Sequence, residues 1–137
     1  MTGSRDAGTA TPSYTETLPC LRQSAEGVRR LISTALRRWG MTAAVDTVAL
    51  VASELATNAI LHSGRPSFRI RISRTDARTV KVLVSDRNRQ VPVVRGADTI
   101  AEDGRGLLLV DKLSAGWGYD RTHWGKTVWA IVKVPPA

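Results

Sequence analysis

Residues 54–62, ELATNAILH, decide the fold, because they place three polar side chains in one row of an otherwise apolar helix. Glu54, Asn58 and His62 are four residues apart, so they project from the same side of an α-helix. We predict that Thr42 caps this helix and that it ends near His62, before Ser63-Gly64. The predicted buried stripe consists of Val45, Val48, Ala52, Leu55 and Ala59.

The polar row contains the residue types that nucleotide chemistry uses. The amide oxygen of Asn58 is a hard ligand of the kind that Mg²⁺ takes, and Mg²⁺ uses few protein ligands beside water and phosphate oxygens. One turn away, Glu54 can act as a base on a hydroxyl group or a water. Two simpler interpretations stay open: the row is an ordinary exposed helix face, and His62 is a basic residue at the negative pole of the helix.

Regular patterns flank this helix on both sides. An earlier amphipathic helix is predicted from Ser24 to Gly40, and a short edge strand at 14–18. After Pro66 the apolar period changes to two, which predicts two antiparallel strands joined by a turn at 75–78, and a second hairpin covers 115–121 and 126–134. Together these elements predict an α+β two-layer sandwich, with helices packed on one face of a mixed, mostly antiparallel sheet.

A second candidate site is the stretch Asp103-Gly104-Arg105-Gly106-Leu107, which we predict to be a glycine-rich turn that opens a short helix. Glycines at such a junction let the backbone approach a phosphate, and the free N–H groups of the helix start can donate to it. Ordinary turn chemistry explains the glycines equally well. The preceding residues, 87–103, have little periodicity and are predicted to form a lid or binding loop.

Two strand residues complete the set of candidates. Asp86 ends a predicted strand, where its carboxylate can accept a hydrogen bond from an exocyclic amine, or simply begin a turn. Thr127 lies on a neighbouring strand and can support the same ligand, or be a strand residue only. Gly125-Lys126-Thr127 imitates the end of a P-loop, but a strand follows it instead of a helix, so the P-loop is excluded.

Composition limits the classes of protein that the chain can be. Its 137 residues, 42% of them hydrophobic and 23% charged, predict one folded domain at 13–137 after a disordered N-terminus at 1–12. The single cysteine, Cys20, cannot form an internal disulfide, and we expect a cytoplasmic protein that binds no membrane. The net charge of +8 favours acidic partners, so a nucleic-acid binder remains a further hypothesis.

These motifs resemble those of one known superfamily. Residues 54–62 look like the N-box of the GHKL superfamily of gyrase, histidine kinase and MutL ATPases. Gly104-Arg105-Gly106-Leu107, followed by Trp117 and by GKTVW at 125–129, resembles the rest of that domain. The likeness is greatest to stand-alone anti-sigma factor serine/threonine kinases, and it covers the chain from about Tyr14 to Val134.

The resemblance implies a Bergerat-type fold that binds ATP and Mg²⁺. It implies that Glu54 is the catalytic base, that Asn58 holds Mg²⁺, that Asp86 binds the adenine amine and that Thr127 supports the adenine. It also implies that four residues line the phosphates under the lid: Gly104, Arg105, Gly106 and Leu107.

The resemblance further implies a protein kinase that phosphorylates a serine of an anti-anti-sigma (STAS-type) partner and sequesters a sigma factor, without direct nucleic-acid binding and with possible homodimerisation. One departure favours a different interpretation. Family members often carry D-x-G-x-G after the adenine aspartate, whereas residues 87–90, RNRQ, contain no glycine. The alternative is therefore a catalytically weak or inactive module that acts by sequestration only.

Overall fold

A six-stranded sheet with strand order β1-β2-β3-β4-β6-β5 forms one layer of the protein. The computed structural model describes residues 2–4, 11–87 and 102–135, with side chains for 11–87 and 107–135. All pairings between the described strands are antiparallel, so the parallel component expected of a mixed sheet is not found among them. The strands are β1 (Thr2–Ser4), β2 (Ser13–Pro19), β3 (Ser67–Asp76), β4 (Thr79–Asp86), β5 (Gly116–Arg121) and β6 (Lys126–Lys133).

Helices pack on one face of this sheet and form the second layer. They are α1 (Ser24–Arg38), α2 (Val45–His62) and α3 (Glu102–Leu113), and α2 contacts both other helices as well as β3, β4 and β6. The predicted α+β sandwich is therefore confirmed.

The first helix buries the stripe that its sequence predicts. Val28, Leu31, Ile32, Ala35 and Leu36 are fully buried, because their spacing places them on the side that faces α2 and the sheet. Gly40 ends the helix as predicted: its φ of +72° lies in the left-handed region, and its N–H donates to the carbonyl of Arg37.

The central helix begins two residues later than the sequence predicts, because its N-cap is Ala44 and not Thr42. Residues Thr42–Ala44 form a short 3-10 turn, and no side chain caps α2, so Thr42 is not its cap. Burial of Met41 and Ala44 explains the tight turn, because it anchors the chain just before the helix. By length and composition α2 could cross a membrane, but the predicted stripe from Val45 to Ala59 packs inside this protein, which makes α2 the core helix.

The two central strands alternate as predicted. Phe68, Ile70 and Ile72 of β3 and the valines 80, 82 and 84 of β4 face the helices and are buried. Cross-strand partners point to the same face, so the β4–β6 register places Val128 beside Val84 and extends this apolar layer.

Two parts of the chain differ from the sequence-based prediction: the N-terminal stretch and the start of the third helix. Thr2–Ser4 pair with β2, so a short strand forms within the stretch predicted to be disordered, and β2 is not the edge strand. The third helix starts at Glu102, so Gly104, Arg105 and Gly106 lie inside its first turns and not in a turn before it. Burial of Leu107 and Val110 favours this extension, since a helical glycine costs only about 1 kcal/mol. The predicted lid at 87–103 lies mostly outside the described residues.

Candidate functional site

Glu54 and Asn58 lie one turn apart on α2, and both are half-buried. Their neighbours Leu55 and Ala59 are buried in the core, so Glu54 and Asn58 border the apolar stripe and are only partly exposed. The ordinary exposed face is therefore the wrong interpretation for these two residues. Burial also raises the pKa of the Glu54 carboxyl above its usual range, because desolvation penalises the charged form.

His62 differs from the other two members of the row. It is the last residue of α2 and is exposed, in the basic position that suits the negative pole of the helix. The structure supports the simpler interpretation of His62 as a helix-end residue.

Chain connectivity brings the end of α2 to the end of the sheet that carries Asp86. Only residues 63–66 separate α2 from β3, and β3 begins beside the last residues of β4, with Arg69 paired to Ser85. Asn58 precedes the last residue of the helix by four positions, about 6 Å along its axis. Asn58 and Asp86 therefore lie at the same end of the sandwich.

Asp86 forms a buried ion pair that the sequence analysis missed. It pairs in register with Lys126 of β6, whose Nζ lies 3.2 Å from Asp86 Oδ2 and donates to Oδ1 at 3.3 Å. The side chains are only 2% and 7% exposed, respectively. No sequence pattern identifies this pair, because only the strand register shows that Lys126 opposes Asp86.

Thr127 lies on the other face of the sheet. It pairs with Ser85, and their hydroxyl oxygens are 2.8 Å apart, whereas Asp86 and Lys126 face the helices like Val84 and Val128. The structure therefore does not bring the Thr127 side chain together with the Asp86 carboxylate. Ser85, also missed from the sequence, is its partner.

Gly125 allows the two strand ends to approach closely. A Cβ at this position would overlap the carbonyl of Asp86 and lie 2.6 Å from Cα of Arg87. The glycine of the GKTVW stretch is thus needed for the backbone contact that holds β6 against the end of β4.

The structure describes only part of the stretch that is predicted to line the phosphates. Gly104, Arg105 and Gly106 belong to the backbone of α3, which packs against α2. Leu107 is 2% exposed as a whole residue and belongs to the core, so it stabilises the sandwich and is not presented to a ligand.

A cavity of about 840 Å³ opens at the same end of the sheet. It shares Asp86 and Thr127 with the predicted site, but no residue of α2 lines it, so Glu54 and Asn58 lie outside it. Its lining residues come from β2, β3, β4, β6 and the connections next to them: Thr17, Arg65, Pro66, Ser67, Phe68, Arg69, Ser85, Asp86, Arg87, Thr122, Trp124, Gly125, Lys126 and Thr127.

The donor chemistry of α2 suits Mg²⁺ bound to a nucleotide. Within the described residues, no three His, Cys, Asp or Glu side chains converge as an all-protein metal site would require. One half-buried amide with a carboxylate one turn away fits an ion that takes most of its ligands from phosphate and water.

Comparisons with known proteins agree with this geometry. The chain matches a family model described as a histidine kinase-like ATPase domain over residues 18–132. No curated protein gives a significant match.

Solved structures show the same fold. A crystal structure of the RsbU and RsbW domains of a Mycobacterium tuberculosis protein superposes with a TM-score of 0.70 at 19% identity, over 93% of this chain and 34% of that one. The histidine kinase domain of a blue-light-activated histidine kinase from Erythrobacter litoralis gives 0.52 at 21% identity, over 85% of this chain and 62% of that one. This chain thus spans about a third of the first protein and less than two thirds of the second. On the family match and the sandwich described above, the chain belongs to the histidine kinase-like ATPase domain family, a family of ATP-binding domains.

Proposed function

We propose that this protein is an ATP-dependent serine/threonine kinase of the anti-sigma type. It would phosphorylate a serine of an anti-anti-sigma (STAS-type) partner and otherwise sequester a sigma factor, in the cytoplasm and without binding nucleic acid directly. The observation that carries the proposal is the half-buried Glu54, with its raised pKa, one turn from Asn58 on the core helix.

In this proposal each described group has one task. Asn58 holds Mg²⁺, which when bound neutralises charge on the phosphates. Asp86 accepts a hydrogen bond from the adenine amine, and the backbone of residues 104–106 lines the phosphates, with Leu107 anchoring this part of α3 in the core. Thr127 supports the adenine end indirectly, since its hydrogen bond to Ser85 fixes the strand next to Asp86.

Glu54 serves as the general base. The serine hydroxyl of the partner loses its proton to the Glu54 carboxylate while its oxygen attacks the terminal phosphoryl group of ATP, and ADP leaves. A raised pKa suits this task, because a base is most effective when its pKa lies near the working pH. Burial of Glu54 in the folded protein causes this shift of its pKa.

Transfer of label from ATP to a purified STAS protein tests the proposal. Glu54→Gln keeps the size of the side chain and removes the base, so the rate should fall about a hundredfold or more. Thr47→Ala, on an exposed position of the same helix, is the matched control and should keep the wild-type rate. Undiminished transfer by Glu54→Gln would show that Glu54 is not the base.

A second candidate function is favoured by the Asp86–Lys126 ion pair. A carboxylate that already accepts from Lys126 is less available to an adenine amine, and no glycine follows it at 87–90. On this alternative the protein captures its partner and turns over no ATP. Calorimetry separates the two functions: heat of partner binding with no heat from ATP and Mg²⁺ would establish sequestration, whereas nucleotide heat would establish an ATP-binding site.

A further inference from the structure

The cavity at the end of the sheet has a strongly positive lining. Among the residues that the structure describes, four cations border it, Arg65, Arg69, Arg87 and Lys126, against one carboxylate, that of Asp86. Lys126 and Asp86 neutralise each other, which leaves the three arginines. Within the described part of the chain, no acidic side chain pairs with any of the three, so their charge is directed at whatever enters the cavity.

An exposed aromatic side chain borders the same cavity. Trp124 is 77% exposed, and it belongs to the tight turn between β5 and β6. The hydroxyl of Thr122 accepts from the backbone N–H groups of Trp124 at 3.2 Å and Gly125 at 3.0 Å, and the Thr122 N–H donates to the Gly125 carbonyl. The turn therefore presents the indole on a fixed backbone, which lowers the entropy cost of using it in binding.

We propose that this cavity, which we call the arginine cleft, binds an extended acidic peptide segment of a partner protein. Guanidinium groups bind carboxylates in a bidentate manner, and arginine and tryptophan are the residue types that most often dominate protein interfaces. A volume of about 840 Å³ also lies in the range of sites that enclose a ligand. The arginine cleft shares Asp86 and Thr127 with the proposed adenine end, but no residue of α2 lines it. The inference goes beyond the proposed kinase reaction, because it assigns the arginines of this cavity, which have no task in phosphoryl transfer, to a partner peptide.

Single-stranded nucleic acid fits the arginine cleft less well. Such ligands stack successive bases on several aromatic side chains along a groove. Only two aromatic residues line this cleft, and one of them, Phe68, is 2% exposed and belongs to the core. One exposed indole beside three guanidinium groups favours carboxylates over a run of bases.

Fluorescence anisotropy with a short fluorescein-labelled peptide of glutamate and glycine tests the inference. The double variant Arg65→Ser/Arg69→Ser should bind this peptide about tenfold more weakly than the wild-type protein. The matched control is Arg22→Ser/Arg30→Ser, which removes two exposed arginines outside the cleft and changes the net charge equally. The control should bind within about twofold of wild type, because distant exposed charges contribute little.

Three results would overturn the inference. Equal losses in both double variants would mean diffuse attraction by the net charge. Tighter binding of a labelled oligothymidine, displaced by the peptide and weakened by the same Arg65/Arg69 variant, would assign the cleft to nucleic acid. If Trp124→Ala and the double variant Arg65→Ser/Arg69→Ser both bind the peptide with the wild-type affinity, the cleft is not the peptide-binding site.

The inference and the proposed kinase activity fail separately. Glu54→Gln should lose phosphoryl transfer and keep the full affinity for the acidic peptide. If the protein transfers no phosphate at all, the peptide measurements remain valid. If the peptide does not bind, transfer from ATP can still be measured. Urea unfolding of each variant, with midpoints near that of wild type, establishes that the cleft variants are folded.

Discussion

Lys126 Nζ lies 3.2 Å from Asp86 Oδ2. The two residues form the last register pair of β4 and β6, and their side chains are almost fully buried. Removing both charges from water is costly, and it is compensated only where the pair keeps good geometry. The pair therefore fixes the orientation of the carboxylate that the sequence assigns to adenine recognition. It also connects the strand that ends with Asp86 to the turn that carries Trp124.

The ion pair predicts a strong coupling between its two members. Lys126→Met should lower the free energy of unfolding by about 3–5 kcal/mol, because it leaves a buried carboxylate without its cation. The double variant Asp86→Asn/Lys126→Met should lose less than the sum of the two single variants, with an interaction energy of about 0.5–3 kcal/mol. Urea unfolding of the four proteins gives this cycle, and additive single effects would contradict it.

We predict that adding a side chain at position 125 destabilises the protein, and that the same change at Gly116 does not. Gly125→Ala forces a Cβ into the backbone of Asp86 and Arg87, so the free energy of unfolding should fall by about 1–3 kcal/mol. Gly116→Ala, in the adjacent strand β5, places its Cβ in open space and should cause no loss. Thermal unfolding of both variants measures the difference, and equal midpoints would show that the strand ends separate at no cost.

The raised pKa of Glu54 predicts how stability varies with pH. The folded protein binds the Glu54 proton more tightly than the unfolded chain does, so this group stabilises the fold at low pH. That contribution is lost as the pH rises from the ordinary glutamate range through the raised pKa. Glu54→Gln has no carboxyl group to ionise at this position, so it does not lose this contribution. The thermal midpoint of the variant should therefore rise relative to that of wild type as the pH rises through the same window.

An exposed carboxylate serves as the control for this measurement. Glu26 lies in the first turn of α1 and is exposed, so Glu26→Gln should show no such gain as the pH rises. A Glu54→Gln midpoint that runs parallel to wild type at every pH would show that burial does not shift the pKa of Glu54.

The same shift predicts the pH dependence of phosphoryl transfer, if the kinase proposal holds. A base must be deprotonated to accept the serine proton, so the rate should fall on the acid side at a pH above the ordinary glutamate value of about 4.3. Single-turnover transfer at saturating ATP gives this profile. An acid limb at or below the ordinary value would remove Glu54 from the role of base.

Local pattern predicts the elements of this protein well, and long-range register explains what it misses. The stripe from Val45 to Ala59 and the alternation from Val80 to Val84 each identify a buried face, because the period of the apolar residues is set by the element itself. The predicted start of α2 is wrong by two residues, since burial of Met41 and Ala44 determines the 3-10 turn and no local pattern reports that burial. The glycines at 104 and 106 predict a turn, but the helix formed by the leucines after them extends through both.

The residues of the candidate site also separate into those that local spacing places and those that only the strand register places. Glu54 and Asn58 are adjacent by helical periodicity alone, so their sequence spacing is enough to place them together. Whether Thr127 or Lys126 faces Asp86 depends on the β4–β6 register, and a shift of one residue exchanges the two faces. The register selects Lys126, which no motif in the sequence identifies.

Asn58 predicts a specific loss of Mg²⁺ dependence. Its amide oxygen is the one neutral hard ligand in the half-buried row of α2, so Asn58→Ala should bind ATP with the same affinity in the presence and absence of Mg²⁺. The wild-type protein should bind ATP more tightly when Mg²⁺ is present, and Thr47→Ala should behave like wild type. Calorimetric titration of the three proteins with ATP, with Mg²⁺ or with a chelator, measures these affinities. If Asn58→Ala retains the full effect of Mg²⁺ on ATP affinity, residues other than Asn58 hold the metal. The one-turn spacing of Glu54 and Asn58 would then reflect packing of α2 alone.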